Sequence, residues 1–353
     1  MFSFLYKLLE INGPRESAKR LAIELAVYRR YLTPRKALNL WLSLWRMNSH
    51  CELAGVYPYR YYIEPTNACN LKCPYCFGWQ GRSKRRVGSM ALATFRRIID
   101  DVEGYACWID LYNRGEPLAN PDIYDMIAYA HAKGIGTKIS SNFHLIDEEK
   151  AEMLVSSGLD HLVIPLDGAS QNSYEKYRVG GDLKLVIENI KHLVRWKHKL
   201  RSKLPYITLR VLLMRQNEHE IPDLRRLAQG LGVDNLFFFP MFINATDPKA
   251  VEAFLPQNEM YSWYDRSQGV NRLAKRKSLR CPELWQRGTI NWDGAVFPCC
   301  YVDEGIAYGN VQQDSLRFIW NSQPFIDSRR ALLGKVPASR TLCTQCRGRL
   351  KQG

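Results

Sequence analysis

The chain has 353 residues, of which 46% are hydrophobic and 24% charged, enough to bury a large core and too apolar for wholesale disorder. No stretch approaches the roughly 18 uninterrupted apolar residues of a membrane span, and the opening residues show neither a basic leader ahead of an apolar run nor a cleavage site. A cytoplasmic protein is expected, and its net charge of +15 and pI near 9.4 point to an anionic partner such as nucleic acid, an acidic membrane face or a phosphorylated substrate.

Residues 1–56 read as a helical N-terminal extension. Phe4, Leu5, Leu8 and Leu9 form one apolar stripe, and Leu38, Leu40, Leu42 and Leu44 crowd with Trp41 and Trp45 in a second segment. Arg29, Arg30, Arg35 and Lys36 lie between them. Two readings are open: a hairpin packed on the main domain, or a peripheral contact with an anionic inner membrane face.

From Tyr61 the period changes to alternating strands and helices. Strands are expected over 61–67, 107–112, 136–141, 160–166, 206–213 and 234–239. Helices are expected over 90–103, 121–133, 147–157, 181–198 and 219–231, with Gly134, Gly158 and Gly232 where helices should stop. This predicts a parallel sheet with helices outside, an α/β fold of the partial (β/α)6 TIM-type barrel class over 57–245. In such folds function collects at the C-terminal ends of the strands. Residues 246–353 should form a linker and a small Cys-rich unit, with one hairpin from Thr289 to Pro298 turning at Asp293-Gly294.

The basic excess falls in runs: Arg82, Lys84, Arg85 and Arg86; Arg195 to Lys203; and Lys275, Arg276 and Lys277. Solvated loops and helix ends explain each run as well as a binding surface does. Aromatic residues are sparse among them, Trp196 excepted, so no specific nucleic-acid partner is expected.

The ten cysteines are clustered, at 69/73/76 and 281/299/300/343/346, with Cys51 and Cys107 alone. Without an export signal such clusters are metal ligands rather than disulfides. Cys69, Cys73 and Cys76 follow the first strand. Three thiolates in one loop can hold three irons of a cubane and leave the fourth without a protein ligand. Zinc prefers four ligands, and no His follows at zinc spacing.

The loop Cys69-x3-Cys73-Pro74-Tyr75-Cys76 resembles the signature of the radical S-adenosyl-L-methionine (SAM) superfamily, and the likeness runs from about 60 to 240. It implies a 4Fe-4S cluster whose open iron chelates the methionine part of SAM, and reductive cleavage to a 5'-deoxyadenosyl radical that abstracts a substrate hydrogen. It also implies an electron donor such as flavodoxin or ferredoxin. Gly115-Glu116-Pro117 is similar to the family's segment that meets the SAM ammonium, with Arg114 in place of its first glycine. Ser140-Ser141-Asn142 resembles the ribose and carboxylate contacts, Asp167 the aspartate near ribose or substrate, and Tyr75 should lie near the adenine. Gly-Glu-Pro can equally be a plain turn and Asp167 a helix cap.

Cys281, Gly294-x4-Cys299 and Cys343-x2-Cys346 resemble the C-terminal extension called SPASM, or its shorter twitch relative. The resemblance implies a second, auxiliary 4Fe-4S cluster held by Cys281, Cys299, Cys343 and Cys346, with Cys300 an adjacent spare. A four-Cys zinc site also satisfies that count. The expected activity is oxidation or epimerisation of a small polar substrate, an anionic sugar or cyclitol suiting the charge. The alternative is a maturase modifying a ribosomally made peptide, disfavoured because residues 1–56 look wholly helical. A non-enzymatic Fe–S protein binding nucleic acid or membrane leaves Gly-Glu-Pro and Ser-Ser-Asn unexplained.

Overall fold

The computed structural model describes residues 2–76, 85–243, 247–265, 272–273, 281–300 and 305–344. Six parallel strands, β1 (Arg60–Ile63), β2 (Trp108–Asp110), β3 (Gly136–Ser140), β4 (His161–Pro165), β5 (Tyr206–Leu213) and β6 (Asn235–Pro240), lie in sequential order. Helices α3 (Leu92–Val102), α4 (Ile123–Ala132), α5 (Glu148–Ser156), α7 (Leu183–Lys199) and α8 (Ile221–Leu231) connect them, with a short α6 (Gln171–Glu175) before α7. Each helix buries one apolar stripe on the sheet, such as Phe95, Ile98, Ile99 and Val102 on α3. The result is the expected partial barrel.

The barrel interior is polar at its floor. Arg60, Asp110 and Lys138, on three adjacent strands, form a buried ion-pair triad: Arg60 Nε lies 2.5 Å and Lys138 Nζ 2.7 Å from the Asp110 carboxylate. Burial works to raise the Asp110 pKa, but Arg60 and Lys138 outweigh it and hold the carboxylate well below its ordinary value. His161 shares a 2.9 Å hydrogen bond with Thr208 Oγ1, and burial together with the charge of Lys138 drops its pKa to about 3, so it is neutral.

The N-terminal helix α1 (Phe2–Tyr31) breaks at Gly13–Pro14 into two arms. The first lies along the sheet's free edge, where Asn12 donates to Phe238 O at 2.9 Å and accepts from Phe238 N at 2.7 Å. The second crosses the N-terminal end of the barrel. Val27 and Tyr31 pack on Trp108, and Arg30 and Tyr31 reach Asp160 at 3.0 and 3.1 Å. A Cβ at residue 136 would collide with Val27, so α1 requires the glycine that opens β3. Helix α2 (Pro34–Asn48) then turns onto the flank. Both helices thus pack on the main domain. Among the described residues, no helix is long and apolar enough to cross a membrane.

After β6 come α9 (Pro248–Phe254) and a two-residue antiparallel pair, β7 (Tyr264–Asp265) and β8 (Arg272–Leu273). The C-terminal segment does not stand apart from the barrel. Following α10 (Glu283–Gln286), strand β9 (Arg287–Ile290) pairs in parallel with β1, matching Arg60 to Arg287 and Ile63 to Ile290. It turns at Asp293-Gly294 into β10 (Ala295–Phe297), which pairs with β11 (Gly309–Asn310), so nine strands share one sheet. Helices α11 (Leu316–Trp320) and α12 (Gln323–Leu333) close the end. Arg329 of α12 is fully buried and donates to the carbonyls of Leu284, Trp320 and Glu52, fastening the C-terminal helices to the linker after α2.

Candidate active site at the mouth of the barrel

The cysteine loop leaves the C-terminal end of β1, and its two limbs are tied at the base. Thr66 Oγ1 donates to Gly88 O at 2.7 Å, Asn67 Nδ2 donates to Arg86 O at 2.9 Å, and Gly88 N donates to Asn67 Oδ1 at 2.8 Å. Buried Glu64 pairs with Arg85 at 2.5 Å. Arg85, one of the first basic run, is therefore part of the loop's frame. Arg82 and Lys84 lie outside the described residues, as do Lys275, Arg276 and Lys277.

Beyond that base, Cys69, Cys73 and Cys76 gather in one apolar cluster with Leu71, Tyr177, Met214, Met241 and Phe254. The donors around them point at sulfur. Leu71 N–H approaches Cys69 Sγ at 3.5 Å, Asn142 Nδ2 approaches it at 3.9 Å, and Arg178 Nη1 lies 3.7 Å from Cys73 Sγ. Burial pushes the Cys69 thiol up to about 11 and raises that of Cys73. Buried thiols served by N–H donors are poor as thiols and well matched as ligands to a metal that takes up their negative charge. The donor set therefore fits an iron–sulfur cluster. None of the nine cysteines among the described residues is in a disulfide.

The structure brings the other expected residues to the same end of the barrel. Gly115 lies so close to the loop that a Cβ would sit 2.5 Å from Thr66 O and 2.6 Å from Ala68 O, at a φ of +72°. Only glycine fits there. Glu116 N donates to Ala68 O at 2.7 Å, lacing the turn to the cysteine loop. The Glu116 side chain is buried and accepts from Leu118 N at 3.1 Å and Asn142 N at 2.7 Å, so its carboxylate joins two strand ends rather than facing the mouth. Pro117 begins the short turn that follows. Ser141 Oγ accepts from Phe143 N at 2.9 Å, and Asn142 Nδ2 donates to Asn70 Oδ1 at 2.8 Å as well as meeting Cys69. Tyr75 packs edge-on against Phe254 and donates to Asp247 at 3.2 Å.

Asp167 is not a helix cap. One oxygen accepts from Leu212 N at 2.7 Å and the other pairs with Arg178 at 2.6 Å. Sequence reasoning missed Arg178, which this pair aims at Cys73. Its one sequence signal is the Arg178-Val-Gly-Gly turn that ends the segment begun at Asp167. Reasoning also missed Arg210 on β5. Its Nε is buried without a hydrogen-bond partner, and burial lowers the pKa of its guanidinium.

In the second cysteine group, Cys300 is pushed up to about 12 by burial, and its charged neighbours are Glu283, Arg114, Arg287 and Asp110. Its carbonyl accepts from Arg114 Nη2 at 3.2 Å. Cys300 therefore faces the barrel. Cys343 is buried within reach of Arg329 and Tyr308. Cys281 and Cys299 are half-buried, and Cys346 lies outside the described residues.

The Radical SAM superfamily profile matches residues 63–228, and an iron–sulfur cluster-binding (SPASM) domain profile matches residues 281–347. The chain is 26% identical over 298 residues to the tungsten-containing aldehyde ferredoxin oxidoreductase cofactor-modifying protein of Pyrococcus furiosus, covering 75% of this chain and 81% of that one. It is 25% identical over 284 residues to the PqqA peptide cyclase of Gluconobacter oxydans, covering 76% and 77%. Among solved structures, Streptococcus suis SuiB bound to its precursor peptide SuiA shares the fold, with a TM-score of 0.59 at 16% identity over 86% of this chain and 72% of that one. The chain thus carries a radical SAM superfamily domain, with the 4Fe-4S cluster and SAM that this domain uses, followed by a SPASM iron–sulfur cluster-binding domain.

Proposed function

We propose that this radical SAM enzyme modifies a peptide. Its likeness to a peptide cyclase over three-quarters of both chains is the observation that carries this reading. Oxidation or epimerisation of a small sugar or cyclitol, the activity expected from sequence, takes second place. The wholly helical start of the chain had weighed against a peptide, but the two arms of α1 serve the barrel's edge and floor and α2 its flank.

Cys69, Cys73 and Cys76 hold the cluster, which when bound supplies the electron that splits SAM. Asn142 and Arg178 place N–H donors against the ligating sulfurs, and Asp167 holds Arg178 in that position. The close approach of Gly115 brings backbone carbonyls of two loops together, a setting for an ammonium group. Tyr75, with Phe254, offers an aromatic wall. Arg210, a half-buried cation whose Nε is an unused donor, receives a carboxylate of the substrate, which favours an acidic peptide. Cys281, Cys299, Cys343 and Cys346 hold the auxiliary cluster, Cys300 being turned toward Glu283 and Arg114.

The test is anaerobic reconstitution with SAM and a reductant, followed by assay of 5'-deoxyadenosine with panels of acidic peptides and of sugars and cyclitols. Peptides should stimulate its formation, and a deuterated peptide should pass its label to the 5'-deoxyadenosine. Stimulation by sugars or cyclitols alone would return the function to a small metabolite.

A further inference from the structure

Helix α2 is inside out. Its buried residues are Lys36, Asn39 and Ser43, all polar, whereas Leu38, Trp41 and Trp45 leave 56, 58 and 47% of their surface exposed. A surface helix ordinarily turns its apolar stripe inward. Here the inner face is held by hydrogen bonds: Lys36 Nζ donates to Gly134 O at 2.6 Å, Asn39 Nδ2 to Tyr57 O at 3.0 Å, and Ser43 Oγ to Trp285 O. The helix is thus anchored by polar bonds that leave its apolar face outward. The two tryptophan rings are stacked at 6.4 Å. Preceding α2, helix α1 exposes Leu21 and Leu25, and Leu32 is exposed in the link between the two helices. Isolated exposed apolar residues are ordinary, but a helix with its polarity reversed is not.

The charge around this face identifies what covers it. Between Glu24 and Glu52 there is no acidic residue, whereas Arg29, Arg30, Arg35, Lys36 and Arg46 are all basic. Arg30 is answered by Asp160, Lys36 is turned inward and Arg35 lies on the Tyr105 ring, which leaves Arg29 and Arg46 as this segment's remaining arginines. Arg46 lies over the Trp45 ring at 5.3 Å. A second copy docking isologously would set this basic face against itself. We propose that α2, with the exposed side of α1, docks the enzyme on an anionic lipid surface, tryptophan and leucine entering the headgroup boundary and arginine meeting the lipid charge. The helix lies in the interface plane and does not span it.

Sedimentation of the full-length, cluster-loaded protein with phosphatidylcholine vesicles and with phosphatidylcholine–phosphatidylglycerol vesicles tests this. Binding should appear with the anionic vesicles at low salt and weaken as salt screens the charges. The double variant Trp41→Ser/Trp45→Ser should lower that binding about tenfold or more, since it removes most of the apolar area available for burial. Unchanged circular dichroism, iron content and peptide-free SAM cleavage would show that the variant is folded. Absence of binding at low salt, equal binding to both vesicle types, or undiminished binding by the folded double variant would each overturn the proposal. So would vesicle-independent self-association that the double variant abolishes, which would assign the face to a second copy.

Discussion

Asp110 shows how one carboxylate can govern the floor of the barrel. It answers two buried cations, Arg60 and Lys138, and removing it leaves both uncompensated. Asp110→Asn is expected to cost about 3–5 kcal/mol of stability, read as a lowered denaturation midpoint. The pH dependence follows from the same geometry. Because the folded state holds this carboxylate below its ordinary value, its stabilisation is complete above the unfolded pKa of about 4 and is lost as pH falls through the folded value. Wild type should therefore lose stability in acid with a steeper slope than Asp110→Asn, measured by denaturant unfolding from neutral pH downward. At this scale the cysteine triad was legible because its spacing is local to one loop. The Asp167–Arg178 pair was not, because it spans an irregular turn where no periodicity links its members. The triad of Arg60, Asp110 and Lys138 was also hidden, since it exists only once three strands lie side by side.

At the scale of elements, strand and helix spacing carried the barrel, and most boundaries differ from expectation by a few residues. The short helix α6 was overlooked, although Ser170 and Ser173 form a capping box that marks its start. More consequential is the work done by α1, whose apolar stripe announced a helix but not its destination. Asn12 mimics a neighbouring strand at the sheet's open edge, satisfying both the N–H and the carbonyl of Phe238. Asn12→Ala leaves those two buried groups unpaired, and a loss of about 2–6 kcal/mol is expected, from roughly 1–3 per group. Hydrogen exchange should locate the effect, with the Phe238 amide losing protection before those of β2 and β3. Uniform loss of protection across the sheet would show that α1 is not a local edge cover.

Across the whole molecule, the C-terminal segment and the barrel share one sheet, so a boundary drawn by cysteine spacing does not mark a mechanical division. Strand β9 completes the edge of β1, the strand that leads into the cysteine loop, and Glu64 N donates to Ile290 O at 2.9 Å. A chain ended at residue 280 keeps all six βα strands yet exposes the β1 edge. It should aggregate, because an uncovered parallel edge is a template for pairing. Size-exclusion chromatography checks this. A monodisperse truncated chain would show that the barrel stands without β9.

The pairing of β1 with β9 also sets an order of events during synthesis. Residues 60–63 leave the ribosome early, but their partner at 287–290 is made more than 220 residues later. Through most of translation the strand beside the cysteines has one satisfied side and one bare side. The nascent chain therefore carries its cysteine loop next to an unfinished edge until residues 287–290 are made and close it.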